Sequence, residues 1–379
     1  MHGRSQLQHR PRLRCETLDE AAEVRNHHAM NHERYQRQML IPEIGADGQD
    51  RLSNARVLVA GCGALGCTIA DLLARAGVGH LRIVDRDLVE LTNLQRQILF
   101  AEPDIGSPKA SAAKKRLEAV NSTIQIESHA QDINPMTIRK LAADCDVIVD
   151  GLDNFETRYL LNDMAISSGI PYIYGGAVGS EGLSFAVLPE PEANPSPCLR
   201  CLFPEPPEPG TTATCDTAGV LGPLISMVAA HEALQAMKLI LGRSEDVDRS
   251  LLRVDVWNNT VHRMDVGAPD PDCPCCGDRD FQWLDGHRSS STTVLCGQGA
   301  VQVLPAVDTC VEIEDLSRRL APHGQFNVHD GIIRGRLHEE RGGSGDPVEL
   351  TVFDDLRALV GGVDSAERAK AIYDRYVGS

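Results

Sequence analysis

Two clusters in this 379-residue sequence have the residue types and spacing to do chemistry. The first is Gly61-Cys62-Gly63-Ala64-Leu65-Gly66, a Gly-x-Gly-x-x-Gly turn directly after the β-rich run ARVLVAG. Missing side chains there let backbone N–H groups and a helix N-terminus approach a phosphate, so Gly61, Gly63, Ala64 and Gly66 read as a nucleotide cradle. Alone, the turn also fits an NAD dehydrogenase or a tight strand-to-helix turn with no ligand. Asp85 ends the next strand, HLRIVD, where a carboxylate can hydrogen-bond ribose hydroxyls, and Asp87 beside it competes for the role. The second cluster is two cysteine pairs, Cys198-x-x-Cys201 and Cys273-x-x-Cys276. Each pair brackets a tight loop, the arrangement of a four-cysteine structural zinc site. Cys275 makes three thiols available for two positions, and the x-x spacing selects Cys273 and Cys276.

Regular elements must hold these groups in place. TIADLLARAG after the glycine turn has helical spacing and stops at Gly77. SPKASAAKKRLEAVN reads as a helix with Ser107 as cap, Pro108 in the first turn and Asn121 as stop. TIQIES and CDVIVDGLD add strands, with helical text at NPMTIRKLAAD and FETRYLLNDMAISSG. Strands alternating with helices predict an α/β fold, a Rossmann-like, doubly wound, mostly parallel sheet. The Pro/Gly-rich PEPEANPSPCLRCLFPEPPEPGTTATCD is a crossover loop, followed by the apolar helix GPLISMVAAHEALQAMKLILG, two strands and the second cysteine pair. The domain reading is a flexible extension over 1–32, the main domain over 33–280, a polar linker over 281–291, and a small α+β tail over 292–379. In the tail, TTVLCGQGAVQVL, QFNVHDGIIRGRL and VELTVF read as strands, with helices at VEIEDLSRRLA and DSAERAKAIYDRYV.

A net charge of −17 argues against non-specific nucleic-acid binding, which needs a basic surface. A small molecule or a protein is the expected partner. No apolar run approaches the ~18 residues of a membrane span, and the N-terminus lacks a secretory signal, so the expected compartment is the cytoplasm.

The stretch VDRDLVELTNLQRQILF followed by SPK narrows the reading. It resembles the ubiquitin-activating-type adenylyltransferases of the MoeB/ThiF/HesA family, in which a strand-end Asp precedes a Ser/Thr-Asn-Leu-x-Arg-Gln block and a lysine. Thr92, Asn93, Leu94, Gln95, Arg96, Gln97 and Lys109 occupy that stretch, Gln95 at its variable position. Arg34-Tyr35-Gln36-Arg37-Gln38 matches the family's opening, whose second arginine reaches a partner subunit's ATP site; the resemblance therefore implies a homodimer with Arg37 in that role. GLDNFETRYLLND matches the family's Asp-Asn element at Asp153, Asn154, Arg158 and Asn162, with Asp153 implied as the Mg²⁺ residue. A helix N-cap is the plain structural role open to Asp153. Cys215 stands where some members carry a sulfur-chemistry cysteine. The resemblance runs over about residues 33–278. Ala64 departs from the family's Gly-x-Gly-Gly-Leu-Gly turn, and the tail is not a rhodanese domain.

The resemblance implies Mg-ATP and Zn²⁺ as cofactors and adenylation of the C-terminal glycine carboxylate of a ubiquitin-like sulfur-carrier protein. Sulfur transfer would follow, for molybdopterin (molybdenum cofactor), thiamine or a related biosynthesis, from a separate donor such as a cysteine desulfurase or rhodanese. Cations preplaced at the phosphates suit the charge that develops there, the task implied for Arg96 and Lys109. The alternatives are a family member acting on another substrate, such as a tRNA-modifying dehydratase, and a non-catalytic scaffold.

Overall fold

The structure, a computed structural model, describes residues 33–189, 195–206, 215–288, 292–295, 300–303, 313–329, 331–343, 345–353, 355–363 and 365–378. The extension over 1–32, parts of the crossover loop, and Cys296 and Cys310 lie outside the described residues. A small unit ends at Asp50, and it holds α1 (33–39) and the start of α2 (Gly45–Asn54).

The second unit opens with β1 (Arg56–Ala60), α3 (Ala64–Ala76), β2 (His80–Val84), α4 (Lys109–Val120), β3 (Gln125–His129), α5 (Ile138–Leu141), β4 (Val147–Asp150) and α6 (Phe155–Ser168). It continues with β5 (Tyr172–Val178), β6 (Glu181–Val187), α7 (Leu199–Leu202), α8 (Cys215–Ala218), α9 (Gly222–Ile240), β7 (Leu251–Asp255) and β8 (Thr260–Met264). These strands form one sheet in the order β3-β2-β1-β4-β5-β6-β7-β8, parallel from β3 to β5 and antiparallel beyond. The all-apolar interior of β1 and β4 is what a strand covered by helices on both faces requires. The chain leaves β1 toward β2 on one side and returns to β4 on the other. The carboxyl ends of β1 and β4 therefore border the crevice where doubly wound sheets bind ligands.

The tail contains β9 (Thr292–Leu295), β10 (Ala300–Val303), α10 (Ile313–Leu320), β11 (Gly324–His329), β12 (Ile332–Arg341), β13 (Pro347–Val352), β14 (Ala358–Gly361) and α11 (Ala366–Tyr376). Its sheet is antiparallel throughout, in the order β11-β12-β13-β14-β10-β9. Helices α10 and α11 supply Leu316, Leu320, Ile372 and Tyr373 to a core against Ile333, Leu350 and Val360.

Several local expectations are corrected. TTVLCGQGAVQVL is two paired strands, β9 and β10, and QFNVHDGIIRGRL is a hairpin, β11 and β12, turning at Gly331 with φ 75°. Strand β14 went unread because ALVG is short and lacks period-two alternation. NPMTIRKLAAD keeps only the single turn of α5, because Asn134 Oδ1 accepts from Met136 N and Thr137 N and so competes with the helix. Ser107 does not cap α4: the N-cap position belongs to Pro108 without a side-chain bond, and Ser107 O instead accepts from Val89 N at 2.9 Å. Trp283 and Leu284, from text read as a polar linker, are buried in the main core, and their N–H groups donate to Asp163 Oδ2. Among the described residues, no helix is long and apolar enough to cross a membrane.

Candidate functional site

The glycine turn is built by close approach of backbones. Gly61 has φ 88°, and a Cβ there would stand 2.7 Å from Gly151 O. A Cβ on Gly66 would stand 2.0 Å from Gly61 O, and one on Gly151 would meet both Gly61 and Gly66. A side chain is thus excluded at Gly61 and Gly66 of the turn and at Gly151, the residue that follows β4. Gly63 occupies the N-cap of α3 with no side-chain cap, so the first N–H groups of that helix have no side-chain partner there. Ala64 is the first residue of α3, and its methyl sits on ordinary helical backbone.

Asp85 reaches back to this turn, accepting from Cys62 N at 2.6 Å and from Asp87 N at 2.7 Å. Burial raises its pKa, against the pull of Lys109. Asp87 is paired with Lys109, Nζ to Oδ2, at 3.0 Å. Burial works against the Asp87 carboxylate, but Lys109 and Arg86 outweigh it and hold the pKa below the usual value. Lys109 is itself buried; Asp87, Asp85 and Asp153 overcome that burial and keep its pKa above that of an ordinary lysine. The ammonium therefore stays charged at the first residue of α4.

The other predicted residues divide into those near this centre and those spent on structure. Asp153 is exposed beyond β4, and its charge acts on Lys109, Arg86 and Arg158. The capping role open to it is filled by Asn154, whose Oδ1 accepts from Thr157 N at 2.9 Å. Thr92 and Gln95 are exposed, and Leu94 and Arg96 are half-buried, in the segment after β2. Arg96 Nη1 donates to Thr92 O at 2.9 Å, and Asn93 is buried with its Oδ1 accepting from Glu90 N. Arg158 is buried, donating to Asp150, Leu152 O and Gly175 O, so its guanidinium braces the end of β4. Arg37 is exposed on α1. Cys215 begins α8, and its side chain lies outside the described residues.

The sulfurs of Cys198, Cys201, Cys273 and Cys276 lie within 4.8 Å of one another. Neighbouring sulfurs are 3.6 Å apart for Cys198 and Cys273 and 3.4 Å for Cys201 and Cys276. A tetrahedral Zn²⁺ with Zn–S of about 2.3 Å places its sulfurs about 3.8 Å apart, so the cluster fits that ion. Cys275 is outside this four-sulfur group: its sulfur accepts from Asn162 Nδ2 at 3.2 Å, and it also interacts with Cys198 and Asp163 beside the cluster. Asn162 Oδ1 also accepts from Leu199 N at 2.7 Å, so this fully buried amide joins the two cysteine segments.

Sequence reasoning missed Gly151, whose contact with the turn exists only once β1 and β4 pair. It also missed Arg86, which pairs with Asp132 at 3.0 Å behind Asp87. In the linear text both are ordinary strand-end residues.

Residues 35–275 match the ThiF family. The chain is 39% identical over 349 residues to the sulfur carrier protein ThiS adenylyltransferase of Bacillus subtilis, covering 91% of this chain and 99% of that one. It is 39% identical over 252 residues to the sulfur carrier protein adenylyltransferase of Thermus thermophilus, covering 66% and 92%. The structure of E. coli MccB with ATP superimposes with a TM-score of 0.56 at 26% identity, over 64% of this chain and 74% of that one. The B. subtilis similarity extends past residue 275, so the resemblance is not confined to the main domain but includes sequence in the tail. On the family match and on these relatives, the chain belongs to the ThiF family.

Proposed function

We propose that this protein adenylates the C-terminal glycine carboxylate of a ubiquitin-like sulfur-carrier protein of the ThiS or MoaD type, using ATP, ahead of sulfur transfer in thiamine, molybdenum-cofactor or related biosynthesis. The observation that carries the reading is the convergence of a glycine turn closed to side chains at Gly61 and Gly66, the buried Asp85 and Lys109, the half-buried Asp87 and the exposed Asp153 at the carboxyl ends of β1, β2 and β4. The B. subtilis relative names the class of partner.

In the proposed step a carboxylate oxygen of the carrier attacks the α-phosphorus of ATP. The bond from that phosphorus to the bridging oxygen breaks, and its electron pair leaves with pyrophosphate. The carboxylate is already ionised near neutral pH, so no general base is required, and the rate comes from alignment and charge stabilisation. The proposal gives the α-phosphate cradle to Gly61, Gly63, Ala64 and Gly66 with the N-terminus of α3, and the ribose to Asp85. Lys109 and Arg96 face the phosphates, and Arg37 serves the site of a second subunit in a homodimer. Asp153 is the residue that would hold Mg²⁺, which supplies neutralisation of phosphate charge when bound. Cys198, Cys201, Cys273 and Cys276 would hold Zn²⁺ as a structural ion. Cys215 is assigned to the later sulfur transfer, from a separate donor.

Carrier-dependent exchange of pyrophosphate into ATP tests the reading. Asp153→Ala and Lys109→Ala are expected to lower exchange at least about a hundredfold in folded protein, the scale of losing a charge-stabilising group. Exchange at the wild-type rate in either variant removes that residue from the site. In the same assay Cys215→Ala keeps exchange, and mixed dimers of Arg37→Ala with Lys109→Ala regain part of it; loss in the first, or no recovery in the second, contradicts those two assignments.

A further inference from the structure

The tail sheet touches the candidate nucleotide site from behind, through one buried cation. Arg357 lies in the turn from β13 to β14 and is fully buried. The turn is tight: Leu356 takes φ 61°, Phe353 N donates to Arg357 O at 3.0 Å, and the guanidinium lies 3.5 Å over the Phe353 ring. Arg357 Nη1 donates to Arg86 O at 2.8 Å, and Nη2 donates to Ala130 O at 3.1 Å. Arg86 stands between Asp85 and Asp87, and Ala130 directly follows β3. Beside this grip, Ile332, Phe353 and Leu359 of the tail close over Leu88 in a separate apolar cluster.

The segment held this way carries the site's charged groups. Asp87 O accepts from Lys109 N at 2.9 Å, Val89 N donates to Ser107 O, and Gly106 N donates to Val89 O. A shift of residues 85–89 therefore moves Asp85, Asp87 and the start of α4 together. A second tail strand approaches the same region, since a Cβ on Gly106 would stand 3.7 Å from Arg334 Nη1. Burying a guanidinium is costly, and two backbone carbonyls from separate strands suit its planar fork in a way that a lysine cannot match. An apolar side chain would dock the two layers at less cost, yet it could not fix a peptide carbonyl.

We infer that Arg357 is a positioning residue for nucleotide binding: by gripping the carbonyl between Asp85 and Asp87, it holds both carboxylates and Lys109 in the geometry that receives ribose and phosphates. The inference rests on the reading of this centre as an ATP site. It gives the tail a role in the first step of the reaction, and it accounts for the similarity to the B. subtilis adenylyltransferase extending into the tail.

The test uses the full-length chain and measures Mg-ATP affinity by calorimetry together with KM for ATP and for the carrier in pyrophosphate exchange. Arg357→Gln is expected to weaken ATP binding about tenfold and Arg357→Lys about threefold, while KM for the carrier stays within about twofold, the scale of losing hydrogen bonds from a charged donor. A residue that merely fastens two layers would move both KM values together, and that result overturns the inference. So does ATP affinity in Arg357→Gln within about twofold of the wild type. If Arg357→Gln does not fold, Arg357→Lys, which keeps the charge but cannot reach both carbonyls with one planar fork, is read by the same criteria. Wild-type protein that binds ATP without carrier-dependent exchange contradicts the proposed function, and the calorimetric comparison still decides the role of Arg357.

Discussion

At the scale of residues, three glycines and two carboxylates carry the argument. Gly61 and Gly66 were legible because their spacing after a strand signals a phosphate-binding turn. Gly151 was not, because its neighbours are 85 or more positions away in the chain and meet it only through strand pairing. Asp85 was legible as a ribose candidate, but its bonds to Cys62 N and Asp87 N show a second task, tying the end of β2 to the turn after β1. These contacts separate two substitutions. Gly66→Ala would drive a methyl into Gly61 O, and it is expected to cost about 1–3 kcal/mol of stability and to weaken ATP binding. Ala64→Gly removes a methyl from ordinary helical backbone and keeps the contacts of the turn, so it is expected to cost no more than about 1 kcal/mol and to weaken ATP binding less than Gly66→Ala does. Thermal unfolding with ATP titration of both variants checks the pair; a Gly66→Ala protein as stable as the wild type would mean that the turn has room the structure does not show.

At the scale of elements, the crossover segment is fastened to the end of the main domain. The paired spacing of the cysteines was readable, since each pair is local. The network around them was not: Asn162 and Asp163 lie on α6, far from both pairs in sequence, yet Asn162 binds Leu199 N and Cys275, and Asp163 binds the backbone of Trp283 and Leu284. Trp283 packs on Tyr159 with ring centroids 5.3 Å apart, so Trp283 and Leu284 anchor residues 281–288 in the core while Asp285, His287 and Arg288 stay exposed. Purified protein is expected to carry about one zinc per chain. Cys198→Ser should lose that zinc and melt at lower temperature, while Cys275→Ser should keep it, because the Cys275 sulfur faces Asn162. Metal analysis of both variants decides this, and zinc lost from Cys275→Ser but kept in Cys198→Ser would reverse the ligand assignment.

At the scale of the whole molecule, the alternation of strands and helices made the main sheet readable, and the family resemblance pointed to its chemistry. The tail was less legible. Its strands are short, one was missed, and the contact that ties it to the main domain depends on Arg357 meeting residues some 230 to 270 positions earlier. No local pattern encodes such a contact, which exists only when both sheets are complete. With that contact the molecule presents one centre at the carboxyl ends of β1, β2 and β4, backed by a second sheet. The central claim is that this centre transfers AMP to a carrier's terminal carboxylate. Mass spectrometry of a ThiS- or MoaD-type carrier, quenched after incubation with the enzyme and Mg-ATP and with no sulfur donor, measures this directly. The account predicts an AMP adduct on the carrier's C-terminal glycine, absent when Lys109→Ala replaces the wild type or when that glycine is deleted. A carrier of unchanged mass after turnover, with AMP appearing only on another molecule, would contradict it.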